Sequence, residues 1–213
     1  MSGVPPIRLP SVRFSPANAV VLLADYQVGL LAAAHRLPAA RGVPPGMVMG
    51  NVLALTRSAR AEGVPLVVTT RAALSGAGRI SPALAAALPP GLEVLDRATA
   101  NAWDTPQVRA AVAATERSEL VVAGLRTETS LTLTALAAAS DGYQVYGTVD
   151  TGCAFGPAAE NVDGLVRVAR AGVVLVGSSA IAEAFAAPSS ALTCHPAHRL
   201  VASESPQCSE PVR

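Results

Sequence analysis

The chain has 213 residues, which suits one compact domain with a short additional arm rather than two full domains. Its net charge is +1 and its charged residues are scattered, so it lacks the clustered positive charge that a nucleic-acid-binding surface needs. No apolar run approaches the roughly 18 residues of a membrane span and the N-terminal segment has no signal-peptide core, so we expect a cytoplasmic protein without membrane or nucleic-acid partners.

Short apolar runs bounded by turn residues predict strands that are buried on both faces. In chain order these runs are 19–24, 65–70, 92–96, 119–124, 143–149 and 173–176. Longer Ala-rich amphipathic segments predict helices near 46–62, 105–115, 128–141 and 157–171. The segments AEGVP and SDGYQ each place a glycine after a helix and before the next strand, which is typical of a helix end.

Strands and helices alternate about five times, which predicts an α/β fold with a mostly parallel sheet and helices on both faces. We assign residues 1–185 to this domain. Residues 186–213 are rich in Pro and Ser and lack periodicity, so we interpret them as a disordered tail or as an arm that packs on a neighbouring subunit. No glycine-rich nucleotide-binding motif follows the first strand, and we predict no cofactor.

Two features of the composition bear on assembly and chemistry. Hydrophobic residues make up 51% of the chain and charged residues 15%, which favours burial of apolar surface in a homo-oligomer; drift toward Ala, Val, Gly and Pro is the other explanation. All sixteen basic residues other than histidine are arginine, which excludes lysine-dependent chemistry. The three cysteines, Cys153, Cys194 and Cys208, show no metal-ligand spacing.

Parallel α/β sheets bind ligands outside the carboxyl ends of their strands, where this chain places Asp25 and Arg97. Asp25 is either a general acid or base, or the N-cap of the next helix. Arg97 either holds a carboxylate ionised or binds an anionic or carbonyl group, and a solvated surface arginine is the alternative.

Trp103 and Ser130 have similar double interpretations. Trp103, the only tryptophan, either walls a pocket, anchors an interface or simply packs. Ser130 lies early in the helix that follows the fourth strand, where backbone N–H groups could bind an oxyanion. Alternatively Thr127 or Thr129 caps that helix, and Ser130 is only a small polar residue of its first turn.

Four motifs occur in a specific order. They are LLADYQVGLL, a basic residue followed by NAWD, VVAGLRTETS, and SDGYQVY followed by VD. Together they resemble the isochorismatase-like hydrolase superfamily, and most closely its YcaC-like branch of cysteine hydrolases, over residues 15–185. The resemblance implies a three-layer α/β/α sandwich of Rossmann-like topology that assembles as a homo-oligomer, a tetramer or an octamer.

In that family the site contains an aspartate, a basic residue and a nucleophilic cysteine. The resemblance assigns these catalytic positions to Asp25, Arg97 and Ser130, although the stretch between Arg97 and NAWD is about one residue short. Ser130 therefore stands where the family has its cysteine, and none of the chain's three cysteines occupies that position.

The resemblance also implies details around the nucleophile. It places a cis peptide bond at Leu125–Arg126 and an oxyanion hole at the backbone N–H groups of Arg126 and Ser130. We expect Asn101, Trp103 and Arg126 to line the substrate pocket. The segment TTRAALSGAGR lacks the Asp and His with which nicotinamidases of the superfamily bind a metal, so we predict no metal.

A serine in place of the cysteine changes the expected activity. A hydroxyl is far less acidic than a thiol and normally needs a general base such as histidine. His35, His195 and His198 do not lie near a predicted strand end, which leaves Asp25, a poor base for an alcohol. We therefore predict a hydrolase of a small amide or related carbonyl compound whose activity is weak or absent.

Other interpretations of the same residues stay open. The serine is consistent with an engineered Cys-to-Ser variant of an active enzyme. It is equally consistent with a non-catalytic binding or scaffold protein on the same fold. A further alternative is a vinyl-ether hydrolase in which Asp25 acts as the acid, as the resemblance to true isochorismatases implies.

Overall fold

The computed structural model describes residues 14–37, 43–71, 76–156 and 158–186. Six strands form one sheet: β1 Ala19–Ala24, β2 Leu66–Thr70, β3 Val94–Asp96, β4 Glu119–Gly124, β5 Gln144–Thr148 and β6 Val174–Val176. The strand order is β3-β2-β1-β4-β5-β6, and every neighbouring pair is parallel. The predicted α/β fold with a mostly parallel sheet is thus confirmed.

The described residues form seven α-helices. They are α1 Val28–Ala34, α2 Pro45–Ala61, α3 Pro82–Ala87, α4 Pro106–Ala113, α5 Thr132–Ser140, α6 Ala158–Arg170 and α7 Ser178–Ala186. The four predicted helices correspond to α2, α4, α5 and α6. Helices α1, α3 and α7 were not predicted. The first two have only seven and six residues, too few to show a helical period, and α7 has nine.

Alternating side chains of β1 explain the three layers. Val21 and Leu23 point into one hydrophobic cluster with side chains of α1, α2, α3 and α7. Val20 and Leu22 point into a second cluster with side chains of α4, α5 and α6. Because the whole strand is buried, polar residues are excluded from its interior and are found where it ends. The predicted α/β/α sandwich is therefore confirmed.

The sheet order reverses at its centre, since β2 and β3 lie on one side of β1 and β4 lies on the other. Connections from such neighbouring strands leave in opposite directions, which opens a crevice at their carboxyl ends. Asp25 follows β1, and the turn that contains Ser130 follows β4. The topology therefore brings the first and third sequence motifs to one place.

The predicted C-terminal tail falls mainly outside the described residues. Ala186, its first residue, ends α7, whereas Cys194, Cys208, His195 and His198 lie beyond the described part of the chain. The division into residues 1–185 and 186–213 stays a prediction. Within the described ranges, no helix combines the length and the apolar character that crossing a membrane requires.

Candidate active site

The carboxyl ends of β1 and β3 are tied to β2 by two backbone hydrogen bonds. The N–H of Asp25, just after β1, donates to the Thr69 carbonyl at 3.2 Å. The N–H of Arg97, just after β3, donates to the Thr70 carbonyl at 3.0 Å. Because these carbonyls belong to successive residues of one strand, the backbone fixes Asp25 and Arg97 on either side of it.

Asp25 has an unusual backbone conformation for a residue other than glycine. Its φ is +71°, in the left-handed region, and its carbonyl accepts the N–H of Gln27 at 2.7 Å. Aspartate tolerates this region better than most residues, yet the conformation is still uncommon. It turns the chain sharply after β1, and such conformations occur preferentially at functional sites.

The side chains of Asp25 and Arg97 form a fully buried ion pair. Asp25 Oδ1 lies 2.6 Å from Arg97 Nη2, and neither side chain is exposed to solvent. Arg97 Nε also donates to Thr69 Oγ1 at 3.2 Å, and its Nη1 donates to the carbonyl oxygens of Thr99 and Ala100. The guanidinium is therefore held by three different segments.

Burial is the main influence on the pKa of Arg97, which it lowers; the Asp25 carboxylate opposes that shift. A guanidinium nevertheless stays protonated at neutral pH because its ordinary pKa is so high. Arg97 therefore supplies a fixed positive charge to Asp25.

Ser130 completes the group from the fourth strand. It is completely buried, and its Oγ donates to Asp25 Oδ2, the oxygen that Arg97 Nη2 does not bind. The carboxylate thus accepts from Arg97 on one oxygen and from Ser130 on the other. The three predicted catalytic positions come together in one hydrogen-bonded chain.

The turn that carries Ser130 is a π-helical turn, Thr127–Leu131. Its wider backbone is defined by the Leu131 N–H, which donates to the carbonyl of Arg126 at 3.2 Å, five residues earlier. Such turns are rare and are frequently found at functional sites. Gly124 permits the turn to sit on the end of β4, since a Cβ there would lie 2.6 Å from the Leu131 nitrogen.

Asp25 is the proton acceptor that the structure offers to Ser130. His35, the histidine in the described part of the chain, has its Nδ1 2.8 Å from the Leu31 carbonyl at the end of α1. The arrangement can hold a hydroxyl, accept its proton on a carboxylate and balance the charge with a guanidinium. It differs from a serine hydrolase triad, in which an imidazole stands between the serine and the carboxylate.

Comparison with known proteins shows which sequences this chain is similar to. The isochorismatase domain model matches residues 19–180. The chain is also 33% identical over 146 residues to the probable hydrolase YcaC of Escherichia coli (strain K12), covering 68% of this chain and 67% of that protein.

The chain belongs to the isochorismatase family.

Solved structures agree with this assignment. The E. coli YcaC structure, described as an octameric hydrolase of unknown specificity, has a TM-score of 0.73 and 31% identity over 82% of each chain. YcaC from Pseudomonas aeruginosa, with hexane-2,5-diol and covalent acrylamide, has a TM-score of 0.71 and 28% identity over 80% of this chain and 81% of that chain. The resemblance to the YcaC-like branch is therefore confirmed.

One detail implied by the family resemblance is wrong for this structure. The Leu125–Arg126 peptide bond is trans, as is every peptide bond in the described residues. The Leu125 carbonyl accepts the N–H of Cys153 at 2.9 Å, and the Thr127 N–H donates to the Cys153 carbonyl at 3.2 Å. These two bonds hold Arg126 in an extended conformation beside Cys153.

The Arg126 side chain lies between two residues of the same region. Its guanidinium carbon is 5.4 Å from the centre of the Phe155 ring, and its Nη2 is 3.8 Å from Glu128 Oε1. Glu128 Oε1 also accepts the N–H of Phe155 at 3.1 Å. These contacts direct Arg126 toward Phe155, so its expected place in the substrate pocket stays a prediction.

The two other expected pocket residues have structural roles. Asn101 Oδ1 accepts the Trp103 N–H at 3.0 Å and its Nδ2 donates to Asp104 at 2.7 Å, which caps the 3₁₀ turn Ala102–Asp104. Trp103 is buried, packs edge-on against Tyr143 and donates from Nε1 to Asp141 Oδ2 at 2.7 Å. Asp141 follows α5 at the end of that helix opposite to Ser130. The expected place of Asn101 and Trp103 in the substrate pocket stays a prediction.

Two further residues near the candidate site were not predicted from the sequence. Thr69 orients the Arg97 side chain through its Oγ1. Gln27 is fully buried, donates to the Gly78 carbonyl at 2.5 Å and accepts the Arg71 N–H at 2.8 Å. Thr69 could have been found from its place near the carboxyl end of β2, whereas Gln27 gives no signal because its partners are 51 and 44 residues away.

Among the described residues, no group of three or more His, Cys, Asp and Glu side chains is close enough to hold a metal ion. The prediction that the protein needs no metal or cofactor stays a prediction.

Proposed function

We propose that the protein hydrolyses a small amide or a related carbonyl compound at Ser130. One observation carries this proposal: Arg97, Asp25 and Ser130 form a continuous, buried hydrogen-bonded chain at the carboxyl ends of the central strands. Membership of the isochorismatase family supports the reaction class. Burial supports it too, because a water-poor site strengthens the interactions of a charged acid–base group.

Each of these three hydrogen-bonded residues has a defined role in the proposed reaction. As Ser130 Oγ attacks the carbonyl carbon, Asp25 takes the hydroxyl proton, and the backbone N–H groups of Arg126 and Ser130 bind the developing oxyanion. Asp25 then returns the proton to the leaving amine, which departs as the C–N bond breaks and leaves an acyl-serine. Water hydrolyses the ester by the same proton transfers, releasing the acid and restoring Ser130.

The rate is expected to be low with serine at this position. A carboxylate is a weak base for an alcohol, whereas a thiol is much more acidic and more nucleophilic. The related YcaC from P. aeruginosa carries covalent acrylamide, a small amide with an electrophilic double bond. That adduct suits an enzyme with a nucleophile in a small amide-binding site, and we extend that kind of site to this protein.

A Ser130→Cys substitution tests the proposal. Initial rates of ammonia or amine release should be measured over a panel of small amides for the unchanged protein, Ser130→Cys, and Ser130→Cys combined with Asp25→Asn. We expect Ser130→Cys to raise kcat/KM by at least about a hundredfold, and Asp25→Asn to remove most of the gain. No gain for any amide would overturn the proposal.

Ser178→Cys provides a matched control. Ser178 is also buried, and its Oγ donates to the Asp150 carboxylate at 2.9 Å, yet among the described residues this pair has no hydrogen bond to an arginine. A gain in activity at Ser178→Cys equal to that at Ser130→Cys would show that the effect does not depend on the proposed site. We expect no gain there.

Labelling with acrylamide gives a second readout that does not need a substrate. Burial, with a smaller effect from Glu128, raises the pKa of the Cys153 thiol to about 11, so this cysteine should stay unmodified in the folded protein at pH 8. Peptide mapping should find the adduct at position 130 of Ser130→Cys and at neither Cys153 nor position 178 of the control.

The proposal includes assembly as a homo-oligomer. The related E. coli YcaC is octameric. In this chain α6 exposes Val162 and Val166, with 58% and 40% of their surface accessible. The first half of α6 carries acidic side chains and the second half basic ones: Glu160, Asp163, Arg167 and Arg170. Two copies of α6 packed antiparallel about a two-fold axis would cover the valines and pair opposite charges.

A further inference from the structure

Arg71 lies between the two charged residues of the site. It directly follows Thr69 and Thr70, whose carbonyls accept the N–H groups of Asp25 and Arg97. Its own N–H donates to the buried Gln27 side chain, two residues after Asp25. The backbone of Arg71 is thus fixed at the edge of the sheet where the proposed nucleophile, acid–base group and guanidinium meet.

The Arg71 side chain has unused hydrogen-bonding capacity. Its Nε and Nη1 are inaccessible to solvent and have no hydrogen-bond partner. Neither of these two atoms pairs with a carboxylate, although Arg71 as a whole is only half-buried. Charged donors withdrawn from water without a partner are energetically costly, which favours the binding of an anion at these two atoms.

The charges around Arg71 also favour an anion there. Asp25 and Arg97 neutralise each other, and Ser130 is uncharged. The exposed Asp96 carboxylate lies beside the Thr70 hydroxyl, at 3.4 Å, and raises the pKa of Arg97, whereas Arg71 contributes to the lowering of that pKa. A substrate carboxylate bound at Arg71 would offset the repulsion between Arg71 and Arg97.

We propose that Arg71 binds a carboxylate of the substrate while the amide of the same molecule lies against Ser130. The substrates would then be small monoamides of dicarboxylic acids rather than neutral amides. Carboxylates are the natural partners of guanidinium groups, and charge-assisted hydrogen bonds are about twice as strong as neutral ones. The assignment rests on the proposed function, since it takes Ser130 as the position of the reacting carbonyl.

Binding measured by calorimetry tests the assignment without requiring turnover. The probes are oxamate, malonamate and succinamate, each compared with the neutral diamide of the same length. We expect the unchanged protein to bind at least one anion roughly tenfold more tightly than its diamide, as one charged hydrogen bond provides. Arg71→Gln should abolish this preference, and Arg71→Lys should keep part of it.

Arg79→Gln is the matched control, because Arg79 is an exposed arginine of the same region and its replacement removes the same charge. It should keep the preference for the anion. Thermal unfolding by circular dichroism should show that all three variants are folded. Equal binding of anions and diamides by the unchanged protein, or an equal loss in Arg71→Gln and Arg79→Gln, overturns the assignment.

Rates of Ser130→Cys separate this inference from the proposed function. If that variant hydrolyses anionic and neutral amides equally well, and Arg71→Gln does not change their ratio, only the role of Arg71 is refuted. If it hydrolyses neither, the proposed function is refuted. If Arg71→Gln lowers the oligomer mass in native mass spectrometry and leaves the anion preference intact, Arg71 pairs with a second copy of the chain instead, which also refutes the assignment.

Discussion

The hydroxyl of Ser130 donates a hydrogen bond to Asp25, although the two residues are 105 positions apart in the chain. The contact forms because β1 and β4 are parallel neighbours whose last residues, Ala24 and Gly124, are in register. The residue that follows β1 and the turn that follows β4 therefore meet at the same height. The strand register, rather than the side chain at position 130, sets the position of that residue relative to Asp25. We therefore expect a cysteine at position 130 to have the same neighbours.

The Asp25–Arg97 ion pair should show strong energetic coupling. Replacing Asp25 by alanine or Arg97 by methionine leaves one buried charge without its partner, and each should lower the free energy of unfolding by about 3–5 kcal/mol. The double substitution removes both charges and should cost clearly less than the sum. Urea unfolding of the four proteins gives this coupling energy directly.

The Arg126–Glu128 pair is the control for that cycle. Its atoms are 3.8 Å apart and its arginine side chain is 24% exposed, so Arg126→Met and Glu128→Gln should couple by less than about 1 kcal/mol. Additive costs for the Asp25 and Arg97 substitutions would contradict the structure, because they would mean that the two charges do not interact.

Much of the fold could be predicted from the sequence because buried parallel strands leave a strong signal. The buried strands β1, β2 and β4 are apolar runs that match the predicted bounds to within one residue, and Asp25 and Arg97 stand where strands end, whereas β3 and β6 are shorter than predicted and only partly buried. Asp25 and Arg97 were found by that rule alone. The rule depends only on burial, which the composition of a short segment reports reliably.

Contacts set by tertiary structure could not be predicted in the same way. The π-helical turn at Ser130 requires the close approach of Gly124 to the turn, and the sequence predicted one continuous helix. The indole nitrogen of Trp103 donates to Asp141, 38 residues away and at another helix end, a contact that the sequence does not indicate. Arg71 followed a strand like Arg97, yet only the structure shows that its donors lack partners.

The exposed face of α6 should mediate assembly. Val162→Glu places a charge within the proposed two-fold contact, and we expect it to reduce the oligomer to smaller species in light scattering and native mass spectrometry. Met47→Glu is the control, since Met47 on α2 has the same exposure of 58% but lies on the opposite side of the sheet. Dissociation by Met47→Glu alone would place the interface on the other layer.

Glu119 should make the stability of the protein depend on pH. Burial raises the pKa of this carboxyl, and the hydrogen bond that Glu119 Oε2 accepts from the Ser15 N–H, at 2.8 Å, opposes the shift only in part. The folded state therefore binds the proton more tightly than the unfolded state. The resulting stabilisation is complete below the unfolded pKa and is lost as the pH rises through the folded pKa.

Glu119→Gln removes this titration while keeping an oxygen that can accept the Ser15 N–H. Relative to the variant, the unchanged protein should lose stability between pH 4 and pH 7, as measured by the urea midpoint at each pH. A difference that stays constant over this range, or that changes in the opposite direction, would show that Glu119 is not destabilised by its burial.

Gly124 should be sensitive to substitution by alanine. A Cβ at this position would lie 2.6 Å from the Leu131 nitrogen and 2.9 Å from the Ser130 carbonyl carbon, and both are backbone atoms that cannot rotate away. Gly124→Ala must therefore displace the π-helical turn, and we expect a loss of about 1–3 kcal/mol in the free energy of unfolding.

Gly50→Ala is the matched control, because a Cβ at Gly50, inside α2, meets no atom within 4 Å. That substitution should stabilise the protein by about 0.5–1 kcal/mol, since alanine favours the helix. In a Ser130→Cys background, Gly124→Ala should also reduce acrylamide labelling at position 130, whereas Gly50→Ala should leave it unchanged. Equal stability of the two alanine variants would mean that the turn does not pack against β4 as closely as the structure shows.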